Sequence, residues 1–238
     1  EFKKIEGKIF DCNYYEEQIR PQFKANPNDT EKNKLFLQQL KNRCTEETPL
    51  YKEIYEVYQK QIAAEREAKF DELFEKADFY TKGLMLESRD QKDEAYKWFE
   101  KAFDDPKTGF PADFTSEDKA KLAYRIAHRY YSGNSYGTAR SWCRRASDYR
   151  PNWGEPYILV GMMYASSGKM CGPGTGWDSQ VVTWAAMDEW EKARSVDAGS
   201  AGEANRLIGK YREYLPSVGD GHMRSVKEGD SYKISCWI

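Results

Sequence analysis

The sequence predicts an all-α protein built from antiparallel helix hairpins that stack on one another. Three observations predict it: apolar residues recur at helical spacing along most of the chain, small residues recur where paired helices would touch, and a proline follows successive hairpins. The 238 residues are 15% aromatic, with 17 tyrosines, which is typical of a folded core rather than of a disordered chain. No apolar run approaches the roughly 20 residues that span a bilayer.

The clearest hairpin lies in the middle of the chain, and it shares its pattern with the hairpins on either side. Its helix-contact positions hold small or aromatic residues and its exit holds a proline: Ala127, Tyr130, Ala139, Cys143, Ala146 and Pro151. Similar residues form the next set: Tyr157, Val160, Gly161, Tyr164, Ala186, Trp190 and Ala193. The preceding set is Gly83, Leu86, Ala95, Phe99, Ala102 and Pro106.

This spacing is typical of the tetratricopeptide repeat (TPR). Gly161 follows Ala127 by about 34 residues, which is the length of one such repeat. A Gly or Ala lets two helix backbones approach closely, and an aromatic residue one turn away fills the wider gap. Each hairpin then exposes an apolar face that a neighbouring hairpin covers. We therefore predict a TPR-like helical-repeat solenoid over residues 76–214, with three repeats and a capping helix at 201–214.

Two segments rich in Gly and Pro interrupt these repeats. Residues 106–117 lengthen one connection between repeats, and residues 167–179 expand the turn inside the last repeat. We expect both to form loops, because Pro and closely spaced Gly do not sustain helices.

The repeat pattern fades toward both ends of the chain. Residues 1–75 are expected to form degenerate helical repeats, with helices at 12–24, 31–43 and 49–76. The C-terminal tail, residues 215–238, contains a Glu-Gly-Asp turn followed by an alternating apolar pattern: Tyr232, Ile234, Cys236 and Ile238. Because alternation of this kind is typical of extended chain, we predict a short C-terminal strand within 226–238.

No motif in the sequence predicts catalysis. The glycines of 172–176 lack the Lys of a phosphate-binding loop, His128 has no accompanying nucleophile motif, and no two carboxylates are marked out as a pair across a cleft. The net charge of −2 and a basic cluster without interleaved aromatics (Arg140, Arg144, Arg145 and Arg150) argue against nucleic acid. We expect no catalytic residue, no cofactor, no metal site and no enzymatic activity.

A partner-binding groove is the better candidate site. In helical-repeat arrays the first helix of each hairpin lines a concave surface that binds protein segments. The repeat register places these residues there: Tyr80, Leu84, Glu87, Tyr124, His128, Tyr131, Ile158, Met162 and Ala165. Tyrosine is common at interfaces because it offers a large contact area at a small cost in rotamer entropy. The alternative is that several of these side chains pack against a neighbouring helix or the C-terminal tail.

The second half of the chain resembles a known family. The resemblance rests on residues 150–161 (RPNWGEPYILVG), 163–167 (MYASS), 171–172 (CG), 182–188 (VTWAAMD), 193–197 (ARSVD), 228–232 (EGDSY) and 236–238 (CWI). These motifs are similar to those of an exported TPR protein family of Bacteroidota, from which the run GPGTG at 172–176 departs. The resemblance implies a periplasmic protein that is part of a longer precursor, and it implies no particular reaction.

An exported protein would give the five cysteines a different meaning. The chain has no C-x-x-C pair, which argues against a structural zinc site. Disulfides persist in the periplasm, and the resemblance therefore suggests the pairs Cys12–Cys44 and Cys171–Cys236. Cys143 would remain a small buried residue between helices.

The expected function is that of a non-enzymatic adaptor or scaffold in the cell envelope. Its groove would hold another protein, such as a component of an outer-membrane complex. The alternative is a structural subunit of an outer-membrane assembly or secretion complex that contacts its partners through the loop 167–179 and the C-terminal tail.

Overall fold

The computed structural model describes residues 11–105, 107–172, 174–227 and 229–238, and within these ranges all regular secondary structure is helical. The chain divides after Ala77 into two compact units, residues 1–77 and residues 78–238. No helix among the described residues is both long enough and apolar enough to cross a membrane. The helical secondary structure of the described residues confirms the all-α prediction.

Between residues 11 and 77 the first unit contains three helices: α1 (Cys12–Ala25), α2 (Thr30–Arg43) and α3 (Pro49–Lys76). They agree closely with the predicted helices because the sequence marks their starts. The Asp11 and Asp29 side chains accept hydrogen bonds from backbone N–H groups in the first turns of α1 and α2, and a Pro opens α3. Their apolar faces form one core: Ile19, Phe23, Phe36, Leu37, Leu40, Leu50, Tyr51 and Ile54.

A buried polar contact fixes the register of this unit. The Asn33 side chain is fully buried and donates hydrogen bonds to the Pro27 carbonyl at 2.7 Å and to Gln61 Oε1 at 3.1 Å. Gln61 donates to the same carbonyl at 3.0 Å. The turn between α1 and α2 is thereby held against α3, since breaking such a contact would leave buried polar atoms unpaired.

The second unit is built on three helix hairpins. They pair α4 (Phe79–Glu87) with α5 (Lys92–Asp104), α6 (Ser116–Ser132) with α7 (Tyr136–Tyr149), and α8 (Glu155–Ala165) with α11 (Val182–Val196). Residues 167–179, which were expected to form a loop, are not loop throughout: the short helix α9 (Gly168–Cys171) lies within them, and α10 (Trp177–Gln180) begins there. Each is only four residues long, so the described part of this segment contains no extended helix. The chain continues through α12 (Ala201–Tyr211), a 3₁₀ turn (Arg212–Tyr214) and α13 (Val218–Met223).

Close helix contacts hold the hairpins together at the positions that the repeat pattern marks. A Cβ atom added to Gly83 would overlap the ring of Phe99, and one added to Gly161 would overlap the indole of Trp190. Both aromatic rings are fully buried. The Trp190 Nε1–H donates to the Ile158 carbonyl at 3.2 Å, so the largest side chain in this core also has its polar atom paired.

The long connection between α5 and α6 folds back onto the first hairpin instead of extending into solvent. Phe114 lies 4.4 Å from the Tyr80 ring and 4.8 Å from Phe110, measured between ring centroids. The Tyr80 N–H donates to the Gly109 carbonyl at 2.9 Å. A reciprocal pair of hydrogen bonds between Thr115 and Asp118 then starts α6.

The predicted C-terminal strand does not form in residues 226–227 and 229–238, which the structure describes without regular secondary structure. A strand needs a neighbouring strand to pair its backbone groups, and none lies beside the tail among the described residues. Side chains anchor the tail instead. Cys236 forms a disulfide with Cys171. Trp237 packs against the core of the second unit, which includes Ala127, Cys143 and Trp190 and which we call the main core.

Candidate functional site

Three aromatic side chains line one face of α6. Tyr124, His128 and Tyr131 are spaced by four and three residues, which places them on the same side of a helix. The His128 ring lies 4.6 Å from Tyr124 and 6.4 Å from Tyr131, between centroids, and both contacts are edge to face. His128 is exposed, whereas the two tyrosines are half-buried. The face therefore presents an exposed polar ring between two half-buried aromatic ones.

The rings of α6 belong to a longer series of contacts, which we call the aromatic row. Neighbouring rings lie between 4.6 and 6.4 Å apart along its length. In order, its members are Trp153, Tyr124, His128, Tyr131, Tyr136, Trp237 and Tyr164. The row joins the first helix of the middle hairpin to the C-terminal tail.

Burial shifts the pKa of two neighbouring members of the row. Desolvation lowers the pKa of His128, and the nearby Glu155 carboxylate opposes this shift. Desolvation raises the pKa of Tyr124 well above its ordinary value. Both shifts favour the uncharged side chains at neutral pH, so the exposed His128 and the half-buried Tyr124 can form hydrogen bonds through their imidazole and hydroxyl groups.

The other residues predicted for the groove fall into two groups. Leu84 is 38% exposed, and Met162 and Ala165 are partly buried against the main core. Tyr80 is covered by Phe110 and Phe114, and Ile158 is buried. For Tyr80 and Ile158 the observed environment is internal packing, which the sequence pattern left open as the alternative.

Glu87 connects α4 to α6 through charge. Its carboxylate accepts a hydrogen bond from the Arg125 guanidinium, which also lies 5.4 Å from the Tyr96 ring and 5.2 Å from the Phe99 ring. Electrostatic attraction and cation–π contact therefore hold the Arg125 guanidinium in one place.

An open cleft of about 670 Å³ lies between α5 and α6. Its lining is Lys92, Tyr96, Arg125, His128, Arg129, Tyr130, Ser132, Gly133 and Ser135. We call this surface the basic cleft, since three cations and one histidine line it and none of the described Asp or Glu residues does. The carboxylates of Glu87, Asp93 and Asp90 nevertheless pair with these cations. The repeat register did not reveal the cleft, although the spacing of Arg125, His128 and Arg129 along α6 could have indicated it.

The tail closes one end of the aromatic row. The Trp237 Nε1–H donates to the buried Ser167 hydroxyl at 3.0 Å. The Arg140 guanidinium lies 5.1 Å from the Trp237 ring and donates to the Tyr164 hydroxyl at 3.2 Å. Farther back along the tail, Tyr232 accepts a hydrogen bond from Trp177 at 2.8 Å. These contacts attach the tail at several points in addition to its disulfide.

Both predicted disulfides are present. Cys12 is bonded to Cys44 and Cys171 to Cys236, while Cys143 is a buried free thiol. Burial raises the pKa of Cys143 to about 12, so this thiol is protonated and unreactive at neutral pH.

In the described parts of the chain, no three His, Cys, Asp or Glu side chains are grouped so that they could hold a metal ion. Comparisons with protein-family models, with curated proteins and with solved structures found no match for this chain.

Proposed function

We propose that this chain is a TPR-type adaptor that holds a segment of another protein against the aromatic row. Two features support a TPR-type array. Gly83 and Gly161 make the same close contact with an aromatic ring of the second helix, and Ala127 and Cys143, at the equivalent positions of the middle hairpin, are both buried in the main core. Stacked hairpins of this kind present their first helices side by side.

The observation that carries the proposal is the row on α6, in which exposed His128 lies between Tyr124 and Tyr131. These rings are held in place by their neighbours, so little rotamer entropy is lost when a partner covers them. They combine apolar area with hydrogen-bonding groups, as interface residues commonly do.

The two disulfides support a location in an oxidising compartment, because cytosolic reductants keep most thiols reduced. Together with the sequence resemblance, they favour the periplasm and a partner in the cell envelope.

The test is affinity capture of the tagged protein from envelope extracts, followed by quantitative mass spectrometry. His128→Ala with Tyr131→Ala should reduce recovery of a stoichiometric partner by about tenfold, since central aromatic contacts commonly dominate interface energies. Tyr214→Ala with His222→Ala removes the same two residue types from exposed positions outside the row and should leave recovery unchanged. Circular dichroism checks that both variants keep their helices. Equal recovery by the two variants would refute the proposed site.

A second candidate places the contact on the loop 167–179 and the tail. The observation in its favour is that Cys171–Cys236 and Trp177–Tyr232 join these segments into one feature, beside which the Met170 side chain is 58% exposed. Met170→Ser would then abolish capture, and the His128/Tyr131 double variant would not.

A further inference from the structure

The basic cleft adjoins the aromatic row, and His128 belongs to both. A protein segment that lies along the row would therefore pass the cleft. The charges of the cleft would then favour segments with particular charged side chains at that point. Lys92, Arg125 and Arg129 are permanent cations at neutral pH.

Each cation of the cleft is paired with a carboxylate: Arg125 is held by the half-buried Glu87, whereas the partners of Arg129 and Lys92 are exposed. Arg129 is paired with Asp93, whose side chain is 86% exposed. The Lys92 Nζ lies 3.1 Å from Oδ1 of Asp90, whose side chain is 85% exposed. Exposed pairs of this kind contribute little to stability. A carboxylate from a partner can replace Asp93 or Asp90 at little cost, because the displaced carboxylate returns to water.

The rest of the lining suits a polypeptide. The Arg129 guanidinium is stacked 4.8 Å from the Tyr96 ring, which orients its N–H groups. A planar guanidinium matches the two oxygens of a carboxylate. Ser132 and Ser135 add hydroxyl groups that can bond to a peptide backbone.

The border of the cleft argues against a long polyanion. Asp90, in the turn before α5, and Asp93 and Glu94, in the first turn of α5, lie around a neighbouring hollow of about 630 Å³. A nucleic acid would bring its evenly spaced phosphates against these carboxylates, whereas a peptide with a few Asp or Glu residues can place them in the cleft alone.

We infer that the basic cleft binds the acidic side chains of an extended partner segment whose apolar residues lie on the aromatic row. This inference rests on the proposed function and specifies its partner as a segment that carries Asp or Glu beside aromatic or aliphatic residues.

The test uses fluorescence anisotropy of the intact, oxidised protein with three labelled 12-residue peptides. They share the same Tyr and Ser positions and carry Glu, Gln or Lys at the remaining ones. A single-stranded DNA oligonucleotide of 12 nucleotides is the fourth probe. The Glu peptide should bind about tenfold more tightly than the Gln peptide at low salt and lose affinity as salt is added, since exposed charges are screened.

Matched variants connect this binding to the cleft. Lys92→Gln with Arg129→Gln should weaken the Glu peptide about fivefold and leave the Gln peptide unchanged. Arg194→Gln with Arg206→Gln removes the same charge from residues that are also paired with carboxylates but lie on α11 and α12, and it should have no such effect.

Each other outcome overturns the inference in a distinct way. Equal binding of the Glu and Gln peptides would leave the adaptor function standing and remove the acidic specificity. Equal weakening by both double variants would assign the effect to overall charge, and tighter binding of the oligonucleotide would reassign the cleft to nucleic acid. Binding of no peptide would refute the adaptor function as well.

Discussion

Single glycines determine how closely the helices of a hairpin approach. Gly161 lies directly against Trp190, which is fully buried and donates its only N–H to Ile158. If the indole rotated away, its N–H would lose this hydrogen bond and would be left buried and unpaired. The indole fits because Gly161 has no side-chain methyl group.

We expect Gly161→Ala to destabilise the second unit by about 1–3 kcal/mol, because a buried overlap forces neighbouring side chains from their preferred positions. Gly209→Ala is the control: Gly209 also lies within a helix, but nothing surrounds its Cβ position. It should stabilise the protein by roughly 0.5–1 kcal/mol through helix propensity. Urea unfolding followed by circular dichroism measures both changes, and a neutral Gly161→Ala would contradict this packing.

Asp197 connects the end of α11 to the start of α8. It accepts hydrogen bonds from the Gly154 N–H at 3.0 Å, the Ser200 hydroxyl at 2.7 Å and the Gly199 N–H at 2.8 Å. The bond from the Gly154 backbone, followed by that from Ser200, lowers the pKa of Asp197 below its ordinary value. The ionised carboxylate is therefore favoured in the folded state.

A carboxylate whose pKa is lowered by folding stabilises the protein above its unfolded pKa, and this contribution is lost as the pH falls. Asp197→Asn should therefore cost about 1–2 kcal/mol at pH 7 through weaker hydrogen bonds. The difference from the unmodified protein should shrink as the pH falls below the ordinary value of 3.8. Urea unfolding across this pH range is the measurement. Asp148→Asn, at an exposed position of α7, should show no such trend.

Among the elements, the long helices followed from the sequence, whereas the short helices α9, α10 and α13 and the irregular tail did not. Helix starts are local, so Asp11, Asp29 and Pro49 could be interpreted without knowing the fold. The tail alternates like a strand from Tyr232 onward, but whether alternation becomes a strand depends on a partner strand. Here a disulfide and the Trp237 contacts hold the tail as irregular chain.

The tail should depend on its disulfide for order. Cys171→Ser with Cys236→Ser should lower the free energy of unfolding by about 2–4 kcal/mol, because the bond closes a long loop. Hydrogen exchange should rise in residues 229–238 and remain slow in α6 and α7. Cys12→Ser with Cys44→Ser removes the same number of sulfur atoms from the first unit and should leave exchange in the tail unaltered. Slow exchange in the tail of the first variant would show that side-chain packing is sufficient.

The whole molecule consists of two units that each contain their own core and their own disulfide. We expect residues 78–238 to fold when produced alone, since their core clusters and hydrogen-bonded hairpins are complete within that range. Circular dichroism should show a helical spectrum and cooperative melting. The midpoint of this melting transition should fall within a few degrees of the corresponding transition of the full chain. An unfolded fragment would contradict the division of the chain into two units.

At this scale the candidate site was only partly predictable. The register of one helix placed Tyr124, His128 and Tyr131 on a common face, because helical geometry needs no knowledge of the fold. The cover over Tyr80 depends on how the connection between α5 and α6 folds back. The basic cleft depends on how α5 packs against α6. Both are tertiary arrangements that no local pattern specifies.

The Cys171–Cys236 bond also determines how the chain responds to force. The two cysteines are separated by 65 positions in sequence. When the chain is pulled from its two ends, tension passes through the sulfur atoms and bypasses the enclosed segment, which contains α10 to α13. That segment cannot extend until the bond is reduced, and its reduction would lengthen the stretched chain by roughly 200 Å at about 3.4 Å per residue.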